Sequence, residues 1–245
     1  MDYHEGLAGL IVLFYLWDCL HLLDPDLVAL AAAGGGRWRV RFGARRWQLA
    51  GKEPLLANPF DPAEILFILG WRAGKGPAPE PGDAAPACQP LVAVAAALIL
   101  PGRLCWASWM LAIVVLPPAL VLHLGPLPVM VCAGALYLNV ALTGLVLYRR
   151  RDRLGLSGGS IVKIGAECLL CIPYGVNLAR KAALALPSRQ LRLQQLGAQV
   201  LDAAQRAQAW EECRARLGEL MGEFDPGTAA HEALAQEQAS WRIKR

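Results

Sequence analysis

The residues best suited to chemistry are Cys168 and Cys171, set in "AECLLCIPYGVNLARK" beside Glu167 and ahead of Arg180 and Lys181. A Cys-x-x-Cys pair can ligate a metal, cycle between dithiol and disulfide, or sit unreacted in an apolar helix. A zinc site wants four ligands. Here Cys19, Cys88, Cys105, Cys132 and Cys213 stand alone, and His4, His21, His123 and His231 are scattered. A redox thiol wants an exposed helix N-terminus after a strand, where the helix dipole stabilises the thiolate. This pair instead falls inside an apolar helix beginning near Ser160, and a reducing cytoplasm would keep both thiols reduced. The favoured reading is two structural cysteines, with a membrane thiol oxidoreductase as the alternative and metal binding or palmitoylation behind it.

Three further polar groups lie in apolar surroundings. Asp18 and His21 are three apart, hence on one helical face, and Asn139 sits in the run "PVMVCAGALYLNVALTGLVLY". Ionisable groups in a membrane are costly and mark relays or ion paths, but Asp18 and His21 fall near the end of their run, where an interfacial structural role suffices. Asn139 is expected to hydrogen-bond between helices. An accessory subunit of a transporter, sensitive at Asp18 and Asn139, is a second alternative. The chain has no Gly-rich phosphate loop, Ser/His/Asp set or Glu-x-x-His pattern, so neither cofactor nor metal is expected and catalysis is not the favoured role.

The elements that must position these groups are set by composition. Hydrophobic residues are 56% and charged residues 18% of the 245, against about 45–50% and about 25% in ordinary soluble domains. The excess is concentrated in three runs, Gly6 to Leu23, Leu104 to Leu122 and Pro128 to Tyr148. Each has roughly the 17–25 residues a helix needs to cross a bilayer. Pro117 and Pro118 are expected to kink or end the second run. The shorter runs near 65–71 and 91–100 read as buried or interfacial helices.

Charge sets the direction. No Lys or Arg precedes the first run, and none lies in the "HLGPLP" link between the second and third. Arg37 to Arg46, Arg103 and Arg149 to Arg153 therefore predict the N-terminus outside and the C-terminus in the cytoplasm. With no basic stretch before it, the first run reads as an anchor and not a cleaved leader. The Ala, Leu, Arg and Gly bias suits a bacterial inner membrane.

Residues 1–33 are read as the first span and a helical continuation through "DPDLVALAAA", and 34–73 as a cytoplasmic insert. Within the insert, strict alternation of Arg37, Arg39 and Arg41 with Trp38, Val40 and Phe42 predicts a strand. Gly43 and Ala44 turn it back as a hairpin, and Asp61, Pro62 and Glu64 start a short covering helix. Its aromatics lie opposite its arginines, so nucleic acid is not expected as a partner and anionic headgroups are. Residues 74–90 read as a Pro/Gly/Ala linker, and 91–148 as an apolar helix plus a transmembrane hairpin.

Residues 149–187 carry a basic flank and a helix kinked at Pro173, lying in the interface or dipping in and returning. Its membrane-surface contacts, with those of the insert, are Arg37, Arg39, Arg41, Arg149, Arg150, Arg151, Arg180 and Lys181. The polar tail, 188–245, steps Leu193, Leu196, Val200, Trp210, Leu217, Met221 and Phe224 at helical spacing, a seam for folding back as a helical hairpin or for pairing with another protomer or a partner protein. The fold expected is mainly α and membrane-integral, with three transmembrane helices. The role expected is that of a structural or adaptor subunit presenting cytoplasmic elements.

Overall fold

The long apolar runs fold as helices in the computed structural model, which describes residues 3–33, 37–72, 91–186, 188 and 191–241. Helix α1 is Tyr3–Asp18, and α2 is Leu91–Trp109, continued by a π-helical segment Met110–Val115 and by α3, Leu116–Val121. Helix α4 is Pro126–Arg149. The π turn lies just ahead of Pro117 and Pro118, where Leu116 donates its amide to the carbonyl of Leu111. The prolines cannot donate to the preceding turn, and a wider turn lets the helix pass them without ending.

These helices form a bundle whose two ends are defined by contacts. His4 at the start of α1 meets His123 in the α3–α4 turn edge to face at 5.0 Å. In the middle, Asn139 donates to the Leu104 carbonyl and to Ser108 Oγ, each at 2.7 Å, the interhelical role expected of it. At the far end Arg150 donates to the Ala97 carbonyl at 2.7 Å. The α2–α3 unit runs from Leu91 to Val121, so the apolar run at 91–100 is the front of the same helix and not a separate one.

The first run departs from expectation: α1 stops at Asp18, and Leu20–Leu23 is strand β1, paired antiparallel with β4, Glu53–Leu56. The expected helical continuation is β2, Leu27–Ala33, the centre of an antiparallel sheet ordered β3-β2-β5. Strand β3, Arg37–Arg41, pairs with β2 instead of folding back on 45–49, and the expected covering helix is strand β5, Ile65–Gly70. Both faces of this sheet are buried. Val28, Leu30, Phe67 and Leu69 join a core with α2 and the tail, while Ala29, Ala31, Leu66 and Ile68 join a second core with the end of α1. A strand covered on both faces needs no alternation, which is why "LVALAAA" and "ILFILG" read as helix. Gly34 to Gly36 and the linker at 74–90 lie outside the described residues.

Beyond α4 come a short turn α5, Arg151–Leu154, then α6, Gly158–Leu170, α7, Ile172–Gly175, and α8, Leu178–Leu184. The break falls at Cys171, whose backbone is extended (φ −130°, ψ 94°), two residues ahead of Pro173. Helices α6 and α8 both pack on α4. Gly175 lets the turn seat on α4, since a Cβ there would stand 2.5 Å from a Val140 methyl carbon.

The tail forms α9, Leu193–Val200, α10, Ala203–Met221, and α11, Ala229–Ser240. Asp202 caps α10 by accepting from the Gln205 amide at 2.8 Å, so the expected seam is broken between Val200 and Ala203. Leu193, Trp210 and Leu217 are buried, Leu196, Val200 and Met221 half-buried, and Phe224 exposed. Trp210 packs against Trp241 edge to face at 5.1 Å, and α11 folds back on α10 as a hairpin.

Candidate functional site: a buried polar joint

The chemistry-bearing side chains converge where the bundle meets the sheets. Helix α8 carries Arg180 into this junction with no exposed surface. Its Nε donates to the Glu64 carbonyl (3.2 Å), and Nη2 to the carbonyls of Asn58 (3.2 Å) and Asp61 (2.9 Å). Its Nη1 reaches Asn177 Oδ1 (3.1 Å) and Cys19 Sγ (3.6 Å). A guanidinium offers five N–H groups, and each has an acceptor here. The local reason lies in "NPFDP": two prolines and the turn-forming Asn58 and Asp61 leave the carbonyls of Asn58 and Asp61 aimed at Arg180. Asp61 Oδ1 steadies the turn by accepting from the Ala63 amide at 3.2 Å.

Around Arg180 the polar groups are paired. Asp18 bridges Lys181 Nζ at 2.7 Å and accepts from Asn177 Nδ2 at 3.0 Å. Glu64, 8% exposed, accepts from Arg41 Nη1 at 3.2 Å and from the Asn58 amide at 2.9 Å. Pro59 offers its carbonyl to Tyr15 Oη (2.6 Å) and Trp109 Nε1 (3.1 Å), tying the turn to α1 and α2. Among the described residues His21 Nε2 is buried and meets no hydrogen-bond partner, and burial, reinforced by the charge of Arg180, pushes its imidazole down to about 4. With its donors and carboxylates engaged, this arrangement positions and holds: one cation joins the turn at 58–64, the connection between α1 and β1, and the start of α8.

A second buried cation fixes the tail. Arg216 donates to Glu53 (2.8 Å), Glu212 (3.0 Å) and the Gly43 carbonyl (2.9 Å), and stacks over Phe42. Gly43 is required by close approach, because a Cβ there would stand 2.4 Å from that of Glu53. Arg45 pairs with Glu219.

The expected cysteine pair is split in environment. Cys168 is buried, its sulfur 3.4 Å from the Tyr174 carbonyl, and burial pushes its thiol up to about 12; Cys171 is half-buried at the break. Among the described residues no group of three metal-ligating side chains occurs. Of the eight cations assigned to the membrane surface, Arg37, Arg39 and Arg149 are exposed. Arg151 is half-exposed over the Tyr148 ring. Arg150, Arg41 and Lys181 are engaged within the chain, at Ala97, Glu64 and Asp18 respectively. Arg180 is corrected outright: a side chain with no exposed surface does not meet headgroups.

Sequence reasoning missed Asn58, Glu64 and Asn177, and it treated Arg180 as a surface charge. The available signal was a lone Arg-Lys pair in the otherwise apolar "YGVNLARKAALAL", which demands partners elsewhere in the chain. Comparison with protein-family models, curated proteins and solved structures finds no match to this chain.

Proposed function

We propose that this chain is a small multi-pass membrane protein that acts as a structural or adaptor subunit. Its N-terminus and α3–α4 turn lie outside, and its sheets and helical tail lie in the cytoplasm. One observation carries the reading. The α2–α3 and α4 helices have mean hydropathy 2.0, yet only 33% and 22% of their most apolar windows are buried. A core helix of a water-soluble protein hides such a surface, whereas a bilayer is a solvent for it. The His4–His123 contact supports a third crossing by α1, since it brings the chain start to the end of the bundle that holds the α3–α4 turn. Helix α1 has 16 residues, a rise of about 24 Å, so its crossing needs a thinned bilayer or the loop 58–62 at its inner end.

The cytoplasmic part supports the adaptor role through the 44–52 tip, where Trp47 (77%) and Leu49 (56%) stand exposed beside Arg46. Exposed Trp and Arg are the residues interfaces use as anchors. The proposed partner is a protein. Extraction tests both halves of the reading: the tagged chain stays in membranes at alkaline pH, and mild detergent recovers it with a stoichiometric companion that the Trp47→Ala, Leu49→Ala double variant loses. Release without detergent overturns membrane integration, and recovery of the chain alone at native expression overturns the adaptor role.

A further inference from the structure

Arg103 is the only charged residue between Leu91 and Val121, and it stands exposed on the face of α2 that also presents Ile99 and Trp106 and continues to Met110 at the start of the π-helical segment. Such a cation in a membrane helix must reach a headgroup or a counter-charge. Beside it, α2 and the edge of the sheet enclose a groove of about 730 Å³, open to one side, lined by Trp38, Phe60, Ile99 and Trp106 with Arg103 and Asp61 as its charged groups. That volume lies within the roughly 300–1,000 Å³ of small-molecule sites. Among the described residues no ion pair joins Arg103 to Asp61, so the groove presents a cation and a carboxylate separately. The position of Asp61 is fixed by the joint, since Arg180 holds its carbonyl at 2.9 Å and Ala63 holds its Oδ1 at 3.2 Å.

We propose that the mouth of this groove binds one phospholipid with an amine headgroup, of the phosphatidylethanolamine class, its phosphate on Arg103, its ammonium on Asp61 and its acyl chains running past Trp106 and Met110 into the bilayer. The charge pattern selects this class. A purely anionic headgroup satisfies Arg103 but faces the Asp61 carboxylate, and a quaternary choline cannot donate a hydrogen bond to it. The proposal rests on the membrane reading above.

The test is native mass spectrometry of the full chain taken from vesicles of equal phosphatidylethanolamine, phosphatidylglycerol and phosphatidylcholine, with detergent dependence of extraction recorded in parallel. One phosphatidylethanolamine stays bound to the wild type, and Arg103→Gln and Asp61→Asn each lower its retention about tenfold, the size of one charge-assisted hydrogen bond. Equal retention of phosphatidylglycerol, or no effect of Asp61→Asn, overturns the proposal, as does a membrane-embedded wild type that holds no lipid. Wild type released without detergent overturns the membrane reading and the proposal together.

Discussion

The bundle and the sheet-and-tail part of this chain are built in opposite senses. Leu127, Met130 and Leu138 of α4 are each at least 70% exposed, while Asn139, Ser108 and Thr143 face inward and hydrogen-bond between or along helices. Around the sheets the order reverses: Phe67, Leu69 and Trp38 fill the core, and Arg37 and Arg39 lie outside. Helices α1 and α2 pass from one regime to the other, and the polar joint at Arg180 sits at that passage. The difference teaches where charge can be buried in such a chain. It goes at the seam, where backbone carbonyls freed by a proline-rich turn take up most of a guanidinium and Asn177 and Cys19 take the rest.

Removing the seam should do most damage. Arg180→Ala leaves the carbonyls of Asn58, Asp61 and Glu64 without their donor, at an expected cost of about 3–5 kcal/mol in thermal or denaturant unfolding of the detergent-solubilised chain. Arg180→Lys should recover little, because an ammonium has three donors and no planar fork. The opposed surfaces are separated next. Leu138→Arg, on the bundle's exposed face, should cost about 3 kcal/mol as lost insertion, whereas Leu49→Arg at the exposed 44–52 tip should stay within about 0.5 kcal/mol. Equal, small effects at both positions would erase the contrast.

Acid probes the joint without a substitution. His21 takes a proton near 6.5 when unfolded but near 4 in the joint, so between those values the unfolded chain binds more protons. Its contribution is complete above pH 6.5 and falls as pH drops toward 4, by up to about 3 kcal/mol. Asp18, Glu64, Lys181 and Arg180 act on the same imidazole, so the check is the difference between wild type and His21→Leu across this window, where the variant should show the shallower slope. The smallest effect belongs to the bundle interior: Asn139→Leu should cost about 1 kcal/mol of unfolding free energy, the scale of an interhelical hydrogen bond in a membrane.

Much of the bundle was legible because hydrophobic run length is a strong signal. The third run, Pro128 to Tyr148, matches α4 to within two residues at its start and one at its end. The sheet was illegible for a physical reason. Asp61, Pro62 and Glu64 have the spacing of a helix start, but here Asp61 caps a turn and Glu64 turns inward to Arg41, while an Ala/Leu-rich strand buried on both faces lacks alternation. Register between distant segments is likewise invisible locally, since Arg180 meets partners 116 and 119 positions away. The tail's spacing was real but was spent inside the chain, on Trp241 and on the sheet through Arg216.

The central claim is that a bilayer covers the bundle, with the α3–α4 turn and the tail on opposite sides. The direct measurement is antibody access to two epitopes, one inserted between Leu124 and Gly125 and one after Arg245, in intact and in permeabilised spheroplasts. The account predicts that the turn epitope is reached in intact spheroplasts and the C-terminal one only after permeabilisation. Equal access to both before permeabilisation, or access to the C-terminal epitope alone, would contradict it.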